Sequence, residues 1–361
     1  MGKARESERL ARALRGAGLG ALTLLLGLWA LSGAGGGRRY ESGIDFDGRE
    51  DESAGGSYVP FGAVRTEGTR RPLRPLEMCS WETALEGSQF DDEVESDGFP
   101  TRYERLVWTD HKPLEDVTCP VCGMQKQTVR FVGSDLREEG KCSHCGSYNR
   151  LRQLADIILP EASRLTGHKL QALQDLVHTN LRILNTQCQG VLHTVLKRAP
   201  GYVCSEYINS DIPAGQVIEH IRHEDLQRTT FKDEVFDLVV STDLMSRIPR
   251  PYQGFHELRR ILRPGGAHIF TVPFSPGDYH DQIRAVVEDG KLVHWALPPI
   301  YQGDHLHPKG VLMFTIFGRE MADKLCMLGY NTTVHHLHNA AHGIIGDNAW
   351  VVSTVKNTEH P

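Results

Sequence analysis

The chain has 361 residues, with 40 Lys and Arg against 46 Asp and Glu, and a formal charge of −6. This length allows one large domain with a satellite, or two domains; 40% hydrophobic and 24% charged residues exclude a wholly disordered chain and a polytopic membrane protein. The mildly acidic balance withdraws the simplest argument for nucleic acid, which needs a concentrated positive surface, and eight cysteines are too few for a disulfide scaffold.

Lys3, Arg5, Arg9, Arg12 and Arg15 precede an uncharged apolar run from Ala17 to Ala34, whose 18 residues reach the lower limit for crossing a bilayer. Even after subtraction of Glu6 and Glu8, these charges outweigh Arg38 and Arg39 on the far side. The positive-inside bias then makes residues 1–16 a cytoplasmic basic tail and residues 17–34 a transmembrane signal anchor. The expected product is a single-pass type II protein facing the Golgi or ER lumen. Cleavage near Ser32 and Ala34 would instead give a secreted protein. A mitochondrial presequence is the third reading, opposed by Glu6, Glu8 and the unbroken leucine run.

Residues 35–114 read as a flexible acidic stem. Between Glu41 and Pro100, 15 acids face 5 basic residues and no apolar period persists. The acidity of the whole chain belongs to this stem, and the remainder is slightly positive.

Cys119-Pro-Val-Cys122 and Cys142-Ser-His-Cys145 are two C-x2-C knuckles separated by 19 residues, the spacing of a structural zinc ribbon over residues 115–150. Gly123 and Gly146 follow each knuckle, where a turn favours positive φ. Four thiolates fill a tetrahedron, so His144 is expected to be a bystander and the site to be structural. Two disulfides are the competing reading in an oxidising lumen. A connecting helix region is expected over 151–167, its apolar stretch Leu154–Leu159 stopped by Pro160, and the basic Asn149-Arg-Leu-Arg152 segment leaves an RNA-facing patch as a sharper alternative.

Residues 168–356 alternate short β-rich runs with helical patterns, the mark of a parallel sheet covered by helices. Strands are expected at Leu181–Thr186, Tyr202–Glu206, Val217–Ile221, Phe236–Ser241, Ala267–Val272, Thr332–His336 and Ala349–Val355. Helices are expected at Val191–Arg198, Tyr252–Leu262 and Gly318–Leu328, with a tail over 357–361. The histidines His335, His336, His338 and His342 alternate along a strand, which argues against a shared metal site. Asn331-Thr332-Thr333 is the only N-x-S/T sequon.

The stretches Phe236-Asp-Leu-Val-Val-Ser-Thr-Asp-Leu244, Glu257-Leu-Arg-Arg-Ile-Leu-Arg-Pro-Gly-Gly266 and Phe270-Thr-Val-Pro-Phe274 resemble the fourth and fifth strands of class I S-adenosylmethionine-dependent methyltransferases, of the type 11-like kind. The cysteine knuckles, Asn149-Arg-Leu-Arg152 and Leu297-Pro-Pro-Ile-Tyr-Gln-Gly-Asp304 look like a zinc-ribbon-bearing subgroup, many of them bacterial and linked to surface glycans. The resemblance covers roughly residues 115–356. It implies a Rossmann-like α/β fold with a mostly parallel sheet of seven strands; the ribbon and the membrane segment read from the residues themselves precede it.

It also implies a cofactor, S-adenosyl-L-methionine, bound at the carboxyl ends of the strands, beside structural zinc on Cys119, Cys122, Cys142 and Cys145. The turn after the first strand reads Asn185-Thr-Gln-Cys-Gln-Gly190, with Gln187 and Gln189 where the family carries paired glycines. Asn185, Gln187 and Gly190 of this turn are assigned to cofactor binding by the resemblance, together with Glu206 on the ribose diol, Asp225 on the adenine and Thr242, which with Ser241 and Asp243 ends the fourth strand near the methyl. Ser246 and Arg247 stand where relatives often have Glu-His, so that histidine base is missing. Among His280, Tyr301, Asp304, His305 and His307, the pair Asp304 and His305 falls in the best-matching segment and is assigned to substrate or proton handling.

Three functions follow. The first is a membrane-anchored enzyme methylating an O or N acceptor, a carbohydrate fitting topology and subgroup. The second is a catalytically inactive methyltransferase-like binding or scaffold protein, suggested by the departing glycine turn. The third is an RNA methyltransferase with the ribbon as recognition module, with nucleic acid disfavoured as partner by the lumenal topology.

Overall fold

The computed structural model describes residues 82–84, 113–133, 135–346 and 348–358. The expected basic tail, signal anchor and most of the stem lie outside the described residues. No helix within the described residues is long and apolar enough to cross a membrane.

The β-rich runs assemble one sheet of nine strands. In chain order these are β1 (Glu82–Ala84), β2 (Arg182–Asn185), β3 (Gly201–Glu206), β4 (Val217–Ile218), β5 (Ile221–His223), β6 (Phe236–Thr242), β7 (Leu262–Thr271), β8 (Tyr330–His336) and β9 (Trp350–Lys356). Their spatial order is β1-β8-β9-β7-β6-β2-β3-β5-β4. The central strands β7, β6, β2, β3 and β5 run parallel, whereas β9 is antiparallel to both its neighbours. β6 has the sequence Phe-Asp-Leu-Val-Val-Ser-Thr and is buried along nearly its whole length, as a strand covered on both faces must be.

Helices cover both faces. On one side lie α1 (Asn149–Thr166) and α2 (Gly190–Leu196), whose Leu154, Ile158, Leu192 and Leu196 share a core with Ile183, Leu238, Val240 and Ile269. On the other, α3 (Pro251–Ile261) and α4 (Glu320–Met327) place Phe255, Leu258, Met321 and Leu325 against Leu184, Val239, Phe270 and Val352. Cys119, Val121 and Cys142 belong to the first of these cores, so the cysteine module is built into the domain rather than tethered to it.

Three expectations are corrected, and one element is new. The sheet has nine strands instead of seven, because Glu82–Ala84, expected within the stem, pairs in parallel with β8 and one expected strand is two. The single strand expected over Val217–Ile221 is a hairpin, β4 and β5, since Glu219 and His220 adopt φ of 45° and 76° and turn the chain back. Pro160 does not stop α1, which runs on to a left-handed Gly167 with φ 71°. A proline inside a helix costs about 3 kcal/mol, and burial of Ile157, Ile158, Leu159 and Ala162 around it offsets that cost. Finally, between β7 and α4 the chain forms an arm of short antiparallel pairs, including Ala285–Glu288 with Lys291–His294 and Tyr301–Gln302 with Val311–Leu312.

Candidate active site

The cysteine module lines part of a cavity through Tyr148 and Arg150. Both knuckles end on left-handed glycines, Gly123 with φ 75° and Gly146 with φ 76°. The four sulfurs all lie within 4.8 Å of one another, with Cys119 and Cys145 at 3.8 Å and Cys122 and Cys142 at 3.8 Å. A zinc ion with sulfur ligands at about 2.3 Å in a tetrahedron needs S···S edges of about 3.8 Å, so this thiol set fits that ion. The Cys119 thiol is drawn down to about 4 by hydrogen bonding from Cys145, against the opposing effect of burial. All four are free thiols, which disposes of the two-disulfide reading, and His144 is exposed outside the set.

The segment after the second knuckle stitches the module to the domain. Asn149 donates from Nδ2 to the carbonyls of Leu136 (3.0 Å) and Ile345 (2.7 Å). Arg152 is fully buried and donates to the carbonyls of Gly140, Ser147 and Gly343. Arg150 faces the other way, into a cavity, with its Nε 2.5 Å from Glu138 Oε1 and its Nη2 2.9 Å from the Tyr148 hydroxyl. The two arginines of the basic segment are therefore taken up in contacts within the domain.

That cavity, about 940 Å³, opens at the carboxyl ends of the strands, where β2 and β6 lie side by side. After β2 the chain builds the sheet outward to β3 and β5, and after β6 it builds in the opposite direction, which makes this the topological switch point. Gln187, Gln189, Glu206, Asp225 and Thr242 line it, together with Tyr148, Arg150, Arg247, Tyr301 and Phe314.

Glu206 ends β3 nearly buried, accepting the Cys188 backbone N–H on Oε1 at 2.6 Å and contacting His305 Nε2 through Oε2 at 3.0 Å. Asp225 closes a local turn by accepting the Gln227 N–H at 2.8 Å, while its neighbour Glu224 turns inward to Arg222 and Thr230. Thr242 donates to Gln187 Oε1 at 3.3 Å. Two residues of the turn stand behind the wall instead of on it. Asn185 is buried and donates to the Gln187 carbonyl (2.6 Å) and the Tyr202 hydroxyl (3.1 Å), and Gly190 opens α2 with φ 81°.

Residues 189–270 match the model of the methyltransferase domain family. Over that segment the chain is similar to S-adenosylmethionine-dependent methyltransferases, on a sheet of the order given above. Among solved structures, an S-adenosylmethionine-dependent methyltransferase from Mesorhizobium loti is similar at 15% identity over 49% of this chain and 91% of that one, with a TM-score of 0.31. A second from Methanosarcina mazei is similar at 16% identity over 49% and 92%, with a TM-score of 0.29. No curated protein matches the chain.

The methyltransferase domain disposes the expected catalytic candidates unequally. Asp304 and His305 both line the cavity, but they are not paired with each other. Asp304 accepts from Arg247 Nη1 (2.9 Å), from the N–H groups of Leu306 and His307, and from His307 Nδ1 (3.0 Å). Burial alone would raise its carboxyl, yet these hydrogen bonds hold it well below the usual carboxylate range, and the same contact raises His307. Asp304 is thus spent on fixing its own loop, and His305 rests on Glu206. His280 lies elsewhere, on Glu320 of α4.

Sequence reasoning missed three cavity features. The first is the grip of Arg137, from the cysteine module, on Asp243, a strand-end residue expected near the methyl that follows β6 with φ 49°: Nη2 to Oδ1 at 2.7 Å and Nη1 to Oδ2 at 2.9 Å. Burial would raise Asp243, but Arg137 and Arg150 outweigh it and keep the carboxyl ionised far into acid. The arm was also missed, although Asp289-Gly290, with φ of 49° and 71°, is a hairpin signal legible in the sequence. Third, Cys188 and Cys204 form a disulfide between the cofactor turn and β3. Cys326 on α4 is disulfide-bonded as well.

Proposed function

We propose that this domain binds S-adenosylmethionine in the switch-point cavity and methylates an oxygen or nitrogen acceptor that enters beside the cysteine module. The carrying observation is the carboxylate of Glu206, placed at the end of β3 on the cavity wall, where it suits a vicinal diol. Gln187, Asp225 and Thr242 stand on the same wall for the rest of the cofactor, with Asn185 and Gly190 shaping the turn behind them. Bound S-adenosylmethionine would supply a methyl on a positive sulfonium, and transfer from it is an in-line displacement that depends chiefly on alignment.

The chain's own part is to orient and to exclude water. The loop holding Asp304, His305 and His307 covers the adenosine end, while Arg137 and Arg150 hold Asp243 at the methyl end. His305 is the mobile partner in this scheme, leaving Glu206 when a ribose arrives and remaining at hand for substrate or proton handling. Tyr148 and Tyr301 offer flat faces on the acceptor side, which supports a sugar ring as acceptor. Zinc on Cys119, Cys122, Cys142 and Cys145 holds the module that supplies Arg137, Tyr148 and Arg150.

A single-pass type II anchor over 17–34 facing the Golgi or ER lumen completes the reading. The disulfides at Cys188–Cys204 and Cys326 support it, since such bonds persist in oxidising compartments.

Titration calorimetry of the folded full chain with S-adenosylmethionine and S-adenosylhomocysteine tests the enzyme reading. Heat saturating at one site supports it; silence at millimolar ligand overturns it in favour of the scaffold reading, which the two glutamines in the turn favour.

A further inference from the structure

The cofactor turn lacks the glycines whose backbone freedom would let it close around a ligand, and keeps only Gly190. It is held by other means. Cys188, at its apex, is covalently joined to Cys204 on the adjacent parallel strand, with Cα atoms 5.2 Å apart. Asn185, where β2 ends, is the register partner of Cys204. The bridge therefore links the mouth of one strand to the body of the next.

The residues on either side of this bridge are the ones that face the cavity. Gln187 and Gln189 flank Cys188, and Glu206 lies two residues beyond Cys204. The Cys188 N–H points at Glu206 Oε1 from 2.6 Å. We infer that Cys188 and Cys204 are positioning residues for the cofactor. Their disulfide sets the distance between the turn and the Glu206 carboxylate, and so pre-forms a site that glycines would otherwise allow the ligand to shape. A pre-formed site binds more tightly because less freedom is lost on binding. This rests on the reading of the cavity as the S-adenosylmethionine site.

The test compares the oxidised full chain with three variants: Cys188→Ser/Cys204→Ser, the volume-filling Cys188→Ala/Cys204→Val, and Cys326→Ser, which removes a disulfide away from the cavity. S-adenosylhomocysteine affinity is read by calorimetry, folding by circular dichroism and thermal midpoint, and KM for S-adenosylmethionine separately from kcat. Both double variants should lose about tenfold in affinity, with KM rising in step and kcat at saturation kept within about twofold. Cys326→Ser should lower the midpoint and leave affinity within about twofold of wild type, since lost stability alone does not move a binding constant. The second double variant decides the case should the serine form not fold. Affinity unchanged in a folded double variant overturns this inference alone, as does an equal loss in Cys326→Ser. No heat from the wild-type chain overturns the cofactor reading and this inference with it.

Discussion

Arg137 and Asp243 are 106 positions apart in sequence, yet the arginine fork closes on both carboxylate oxygens, at 2.7 and 2.9 Å, with each side chain only 13% exposed. The pair joins the cysteine module to the strand end where the transferred methyl is expected. Arg150 stands behind it at 3.7 Å from Asp243.

Removing one partner of a largely buried pair leaves a charge without compensation, so Arg137→Ala should cost about 3 kcal/mol by denaturant unfolding. Arg137→Ala/Asp243→Asn should recover part of that loss. The folded Asp243 pKa lies below its unfolded value of about 3.9. Its contribution is therefore complete above that pH and is lost as pH falls below it. Acid titration of wild type against Asp243→Asn should show the difference confined to that range.

Cys119→Ser should lose about one equivalent of metal by elemental analysis and most of its folding stability, because structural zinc binding is folding free energy. Since Arg137, Tyr148 and Arg150 sit on the same module, protein that survives should fail to turn over acceptor. Retention of a full equivalent would exclude Cys119 as a ligand.

Glu206→Gln should weaken S-adenosylhomocysteine binding by about ten- to a hundredfold, the cost of a lost charge-assisted hydrogen bond. His305→Ala frees the same carboxylate of a competitor and should tighten binding. Calorimetry on the two variants checks opposite signs at one site.

The hydrogen bond to Asp304 raises the pKa of His307. Its contribution to the loop over the cavity is complete below the unfolded value of about 6.5 and is lost as pH rises through the raised folded value. Limited proteolysis of the 303–310 loop should accelerate across that upper range in wild type. His307→Gln should show the faster rate at every pH.

Asn331 is exposed on β8. In a lumenal chain expressed in eukaryotic cells, endoglycosidase treatment should increase gel mobility, and Asn331→Gln should abolish the shift. An unshifted wild-type band would turn the topology argument toward the other readings of the N-terminus.

Much of the sheet was legible because its strands are short apolar runs with local boundaries. Phe236–Thr242 is off by one residue, and Arg182–Asn185 falls inside the expected run. The knuckle spacing likewise specified a thiol cluster without any knowledge of the fold. Features that depend on distant partners were hidden. Glu82–Ala84 has no period of its own and becomes a strand only by pairing with β8. Pro160 reads as a stop until the core around Ile157 and Ile158 is known. In the cavity, Glu206 and Thr242 could be placed from strand ends, but Arg137 could not, since nothing near it in sequence points to Asp243. Cys188 and Cys204 are not legible as a pair, because a turn and a strand become neighbours only through the sheet register.

Cys188 and Cys204 are joined in a chain where four other thiols, all within 4.8 Å of one another, stay reduced. Thiols that close together are oxidised readily unless a metal takes them first. If zinc fills the ribbon as proposed, it would have to reach those four thiols before an oxidant does. Production in a reducing cytosol would give the ribbon without the bridge, and secretion through a zinc-poor lumen would give scrambled cysteines.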